Sequence, residues 1–363
     1  SPVPSSPGVR DAVVTVKEGR TGQFLVGAGV SSSAGLLGNV SYTERNFDLL
    51  NWPRSWKDVK SRGAWRGAGQ TLRLSAEPGT EFMRFRIDWH EPFLFDKPYS
   101  LGTRLFLFTS ARETYDEARY GTLVSLGHRF PNRWYAEVSG RVEGVRVDNL
   151  EMPEAPPDVR KVSGTTALAA AKGTLVRDKT DSRWMPSEGD RLTVSYEQVT
   201  GDFNFGKALA EYRTYYTVWL DVQDRKHIIA VRVSGGTILS EAPVFERFYG
   251  GGLGSVRGFQ YRGISPRQGA FREVVGGEFM TFVGSEYTFP VFGQMLRGVV
   301  FIDTGTVESD VEITDYRASV GFGIRMHIWR FSPVPMSLDF AFPISKTSDD
   351  NEQLVSFSLG WVF

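Results

Sequence analysis

The chain has 363 residues, with 42 basic and 42 acidic side chains and a formal net charge of zero, which argues against a nucleic-acid partner. It contains no cysteine, so disulfides and thiolate metal sites are excluded. Aromatic residues reach 13% and glycine numbers 39, a mixture that points to β structure, while no run approaches the ~18 apolar residues of a membrane helix.

In chain order, residues 1–20 stand apart. "SPVPSSPG" is linker-like and "DAVVTVKEG" reads as a single strand. The chain begins with Ser and shows no signal peptide, so we expect either a removed leader or a piece of a longer protein. From residue 21 onward the pattern is one of two-faced strands. In "EFMRFRIDWH", Met83, Phe85, Ile87 and Trp89 alternate with Arg84, Arg86, Asp88 and His90. "RASVGFGIRM", "MSLDFAF", "HIIAVRVS" and the final "VSFSLGWVF" repeat the alternation. Runs of 8–11 residues exceed the ~5–6 of an ordinary soluble strand and match the ~9–11 of a transmembrane barrel strand.

Sixteen strands are predicted, with cores at 21–30, 36–45, 70–78, 81–90, 99–111, 119–129, 133–148, 164–177, 189–200, 207–221, 227–238, 276–290, 296–304, 316–327, 336–343 and 353–363. The Ala-rich 164–176 could form a helix, but its flanking Thr, Val and Gly favour a strand. The fold class is therefore all-β, an antiparallel barrel of about sixteen strands. Longer loops are expected at 149–163, 305–315 and 344–352. The stretch 51–69, with Trp52, Trp56 and Trp65 among Lys and Arg, would meet the membrane surface, meet a partner, or pack as an ordinary insertion.

"FYGGGLGSVRGFQYRG" (248–263) raises the question of a phosphate loop. Gly252-Leu253-Gly254 is followed three residues on by Arg257 rather than glycine, and no helical pattern comes after it, so phosphate binding is set aside. His90, His128, His227 and His327 fall on separate strands without metal-ligand spacing, and no G-x-S-x-G elbow is present. No metal, cofactor or enzymatic activity is expected.

"GSVRGFQYRG", then "GSEYTFPV" (284–291), "LRGVVFIDTGTV" (296–307) and the C-terminal "VSFSLGWVF" resemble, in this order, the BamA-type outer-membrane protein assembly and transport superfamily. The resemblance covers about 10–363 and is strongest in the last third. It implies that 1–20 are a linker and the stub of a periplasmic POTRA domain, and that 21–363 are an outer-membrane barrel. It implies that the loop carrying Val256, Arg257, Gly258 and Phe259 folds into the lumen, where Arg257 meets Glu286 and Asp303. Both acids also lie in steps of two with other lumen candidates, and a guanidinium in a barrel favours bidentate carboxylate partners.

The function implied is insertion of client barrel proteins, in the outer-membrane bilayer and with accessory lipoproteins. A secretion or translocation pore of the same superfamily, a passive porin and a barrel hydrolase are the alternatives. Closure must join the first strand (Gly22, Phe24, Gly27, Gly29) to the last (Phe357, Leu359, Gly360, Trp361, Phe363), and this seam is the expected working site. The long 51–69 stretch departs from the short turn typical of the family.

Overall fold

The structure is a computed structural model, and it describes residues 19–60, 64–293, 295–327 and 336–359. The linker-and-stub reading of the N-terminus falls almost wholly outside these residues, as do Gly360, Trp361 and Phe363.

The described strands are β1 (Gly22–Ser31), β2 (Gly35–Phe47), β3 (Gln70–Pro78), β4 (Phe82–Glu91), β5 (Tyr99–Ala111), β6 (Asp116–Arg129), β7 (Trp134–Asp148), β8 (Gly164–Asp178), β9 (Gly189–Gly201), β10 (Phe205–Leu220) and β11 (Lys226–Leu239). After a long connection come β15 (Phe279–Phe292), β16 (Leu296–Glu308), β17 (Arg317–Met326), β18 (Met336–Ser345) and β20 (Val355–Leu359). These sixteen form one closed antiparallel barrel, each paired with its neighbours in sequence and β20 returning to β1. Short pieces complete the inventory: β12 (Gly258–Phe259) with β19 (Glu352–Gln353), and β13 (Arg267–Gln268) with β14 (Glu273–Val274).

The alternation in sequence becomes two faces of the wall. Phe24, Tyr42, Leu74, Ile87 and Leu105 are successive register partners across five strands and form one exposed outer row. The intervening row, Ser41, Ser75 and Arg86, faces the lumen. Such an apolar exterior is stable only against hydrocarbon, and barrel closure leaves the wall without free edges. An even strand number puts both ends of the barrel chain on one side. The longest connection, 240–278, lies on the other together with 149–163, so that side is extracellular and 48–69, a long exception, is periplasmic.

Several boundaries differ from the sequence reading, each for a local reason. The strand expected from 276 starts at Phe279, because Gly277 is bridged back to Phe248 of the long loop. The loop expected at 305–315 shrinks, because β16 runs to Glu308 to pair with Phe279. The last barrel strand starts at Val355 rather than 353, since Glu352 and Gln353 pair with Phe259 and Gly258 instead.

Two short helices also form where none was expected. In α1 (Trp56–Lys60), the Asp58 carboxylate accepts from the Arg54 and Ser55 amides while the Asp58 amide donates to Ser55 Oγ, a reciprocal cap. In α2 (Pro157–Lys161), Pro157 occupies the first helical position, where its missing N–H costs nothing.

Placing a cation on the outer row should unseat the barrel from lipid. Ile87→Arg, near the middle of β4, is expected to destabilise the folded barrel by ~2–4 kcal/mol in denaturant titrations in lipid. Wild-type stability in that variant would contradict the lipid-facing assignment of this row.

Candidate functional site: a loop anchored in the lumen

The connection 240–278 turns inward and packs on the wall. Its apolar residues Val244, Phe245, Phe248, Val256, Phe259 and Ile264 join wall residues such as Val145, Val199, Phe205, Phe282 and Val307 in one buried cluster. The extracellular half of the barrel therefore has a hydrophobic core, a feature that strand alternation alone did not reveal. The loop is also stitched to the last extracellular loop. Gln260 N donates to Asn351 O, and Asn351 N donates to Gly263 O.

The four residues 256–259 divide their work by direction. Val256 and Phe259 are completely buried in the apolar cluster. Arg257 points to the wall strands β15, β16 and β18. Its Nε donates to Asp303 Oδ2 at 2.6 Å, Nη2 to Asp303 Oδ1 at 3.0 Å, and Nη1 to Glu286 Oε2 at 2.8 Å. Its backbone amide also donates to Asp303 Oδ2 at 3.2 Å, and its guanidinium lies 3.4 Å from the centroid of Phe301. The bidentate fork fixes both position and orientation, and the ring face adds a cation–π contact.

Gly258 has φ +92°, and a Cβ there would come within 3.4 Å of Pro343, Ser319 and Ala341 on β17 and β18. The backbone thus lies flat on the inner wall in a conformation that only glycine adopts easily.

Sequence reasoning missed the rest of this network. Arg325 on β17 donates to Glu286 Oε2 at 3.0 Å and to Asp339 Oδ1 at 2.6 Å, so two arginines and three carboxylates alternate across four strands. Asp339 was visible as the polar member of "MSLDFAF", but nothing in that segment names its partner.

A second anchor was missed entirely. Glu246, in the 3-10 turn Val244–Glu246, is buried at the inner wall. Its carboxylate accepts from Arg119 of β6 and, at 3.1 Å, from Arg141 of β7, while Lys207 of β10 donates to its backbone carbonyl at 2.6 Å. Glu143 and Glu197 balance the same arginines. Burial pushes the Glu246 carboxyl up, but Arg119, Arg141 and Lys207 more than offset it and hold the group down at about 2. A third link ties the loop base to the neighbouring extracellular loop, with Arg247 Nη1 donating to Asp158 of α2 at 2.8 Å.

The first strand lies beside β2 over its full length, Gly22 opposite Glu44, Phe24 opposite Tyr42, Gly27 opposite Asn39 and Gly29 opposite Leu37. Among the described residues β1 and β20 share two register pairs, Val30 with Leu359 and Ser31 with Ser358. Ser32 N donates to Phe357 O at 3.0 Å, and Phe357 N to Ser32 Oγ at 3.3 Å. The loop site and the seam are separate in sequence, and β12–β19 brings the loop to the residues just before β20.

A plugged sixteen-strand barrel with this loop is matched by the Omp85 superfamily domain over residues 64–363. The chain belongs to the Omp85 superfamily. It is 28% identical to the outer membrane protein assembly factor BamA of Nitratidesulfovibrio vulgaris over 97% of its length, and it spans 43% of that relative. Among solved structures, BamA from Haemophilus ducreyi lacking POTRA domains 1–3 superposes with TM-score 0.79 at 20% identity, over 96% of this chain and 71% of that one. CdiB from Acinetobacter baumannii follows at TM-score 0.60 and 14% identity, over 93% and 59%. The Omp85 barrel described here is thus an outer-membrane barrel of BamA type that spans under half the length of its curated BamA relative.

Two outcomes test the anchors. Arg257→Ala leaves Asp303 and Asp339 buried with one fewer partner. In a dry site that loss would cost ~3–5 kcal/mol, and a wet lumen reduces it. Limited proteolysis should then cut within 250–263 in folded barrels. Arg257→Lys should rescue only part of the protection, since an ammonium cannot make the fork. Unchanged protection in Arg257→Ala would refute the anchoring role.

For Glu246 the folded value lies below the ordinary ~4.3 of a free glutamate. Its contribution is therefore complete above that value and is lost as pH falls through about 2. Pepsin digestion should release the loop only as pH approaches about 2, whereas Glu246→Gln should show a loosened loop at every pH.

Proposed function

We propose that this barrel assembles and inserts client β-barrel proteins into the outer membrane, working at the seam between β1 and β20. The observation that carries the reading is how the barrel closes: β20 returns to β1, and among the described barrel strands this is the one neighbouring pair that is not consecutive in the chain. Backbone groups in hydrocarbon must be paired, and a joint that no connection ties together can part without undoing a hairpin, leaving an edge that is a template for an incoming strand.

The likeness to BamA assembly factors supports the same role. On this reading residues 1–20 are a linker and the stub of a periplasmic POTRA domain, and accessory lipoproteins attend the complex. Glycines 22, 27 and 29 weaken the packing of β1, which helps it change partner. The process is not enzymatic, because it exchanges hydrogen bonds and breaks no covalent bond.

The absence of native cysteine makes a clean test possible. Ser31→Cys and Ser358→Cys place thiols on direct register partners. Oxidation should lock the seam, abolish client insertion into proteoliposomes and leave the barrel heat-modifiable on gels, with reductant restoring insertion. Locked protein that inserts clients at the normal rate would remove the seam mechanism, while the barrel and its family would stand.

A further inference from the structure

The connection between β2 and β3 is the longest on the periplasmic side, and it does not hang free. Gly22, Glu44, Leu72 and Trp89 are successive register partners, and they form the last periplasmic row of the outer face. Glu44 is a carboxylate on the lipid side of the wall, yet it is buried. Arg66 of the insertion covers it with an ion pair at 2.9 Å, and Tyr42 Oη donates to it at 3.0 Å. Beside it, Gln70 Oε1 accepts from both the Leu49 amide and Trp89 Nε1. Val59, Ala64 and Trp65 line a single cavity with Tyr42 and Leu72 in the same corner. Backbone bonds from Asp48 N to Trp65 O and from Trp65 N to Asn51 O fix the base of the insertion. The insertion is therefore folded against the outside of the barrel, at the periplasmic rim next to β1.

What it presents outward is unlike a surface loop. Leu50 is 84% exposed, Trp56 81% and Trp52 66%, and Leu49 is exposed beside them. Stretch 51–69 carries five basic residues against one acidic. Arg54, Lys57 and Lys60 are exposed and form no ion pair among the described residues. Tryptophans flanked by exposed cations, continuous with an apolar wall, match the chemistry of a phospholipid interface: indoles at headgroup depth and ammonium or guanidinium groups on phosphates.

We propose that residues 48–60 form an interfacial anchor held in place by Trp65 and Arg66, with Leu50, Trp52 and Trp56 seated in the periplasmic leaflet and Arg54, Lys57 and Lys60 on anionic phospholipid headgroups. The anchor would fix the depth of the bilayer at the edge of β1. This reading is independent of the assembly function.

The test uses Leu50→Cys and, separately, Trp56→Cys, each carrying a nitroxide, in barrels reconstituted into phosphatidylcholine vesicles with and without added phosphatidylglycerol. A label at Asp310→Cys in an extracellular loop is the aqueous reference. At 50 and 56 the nitroxide should relax more with oxygen than with a water-soluble nickel chelate, the reverse of position 310. Adding phosphatidylglycerol should deepen both, and Lys57→Glu with Lys60→Glu should cancel that shift. Chelate accessibility at 50 and 56 equal to that at 310 would overturn the anchor. So would labels that are immobilised and shielded from both relaxants, which would mark a protein partner.

Discussion

A backbone that crosses hydrocarbon must find all its hydrogen-bonding partners within the protein, and every feature of this molecule follows from how it meets that demand. Sixteen strands meet it by closing on themselves, with long ladders such as the fourteen-residue runs of β6, β11 and β15. The joint between β1 and β20 completes the ring and, among the described barrel strands, joins the one pair of neighbours not consecutive in the chain. On the proposed reading, that closure is where the wall opens.

The lumen loop is the second half of the design. A long connection over an open barrel mouth would be floppy, but this one is clamped at separated points. Arg257 grips β15 and β16, Glu246 grips β6 and β7, and Arg247 holds α2. Between the clamps, Val256, Phe259 and Phe248 bury apolar surface against the wall. Charges fix the register of the loop on the wall and apolar burial supplies the adhesion, a division seen within the four residues 256–259. The pairing of Gly258–Phe259 with Glu352–Gln353 then ties the plug to the stretch leading into β20, so plug and seam are mechanically adjacent.

Much of this was legible in the sequence, because a period of two survives wherever one face meets lipid and the other meets polar groups. Strand number and most strand boundaries follow from it. Two of the boundaries that failed are decided by the loop: Gly277 is held back by Phe248, and Glu352 is captured by Phe259. Such pairings join residues far apart in the chain and leave no periodic trace. The Arg257 partners could be named only through the family resemblance. The pairing of Asp339 with Arg325 and the Glu246 cluster were invisible, since a lumen-facing charge in one strand does not announce which strand lies across from it. The helix α1 was hidden for another reason, being a single capped turn too short for a helical period to register.

The central claim is that the first strand is the surface on which a client strand is templated. The most direct measurement places single cysteines along β1, at Gln23, Leu25, Gly27 and Gly29, and scans them against single cysteines in the terminal strand of a client trapped during insertion. The account predicts disulfides at one register, stepping along both strands in opposite directions as an antiparallel ladder requires. A client that inserts normally while crosslinking nowhere on β1, or at no defined register, would contradict it.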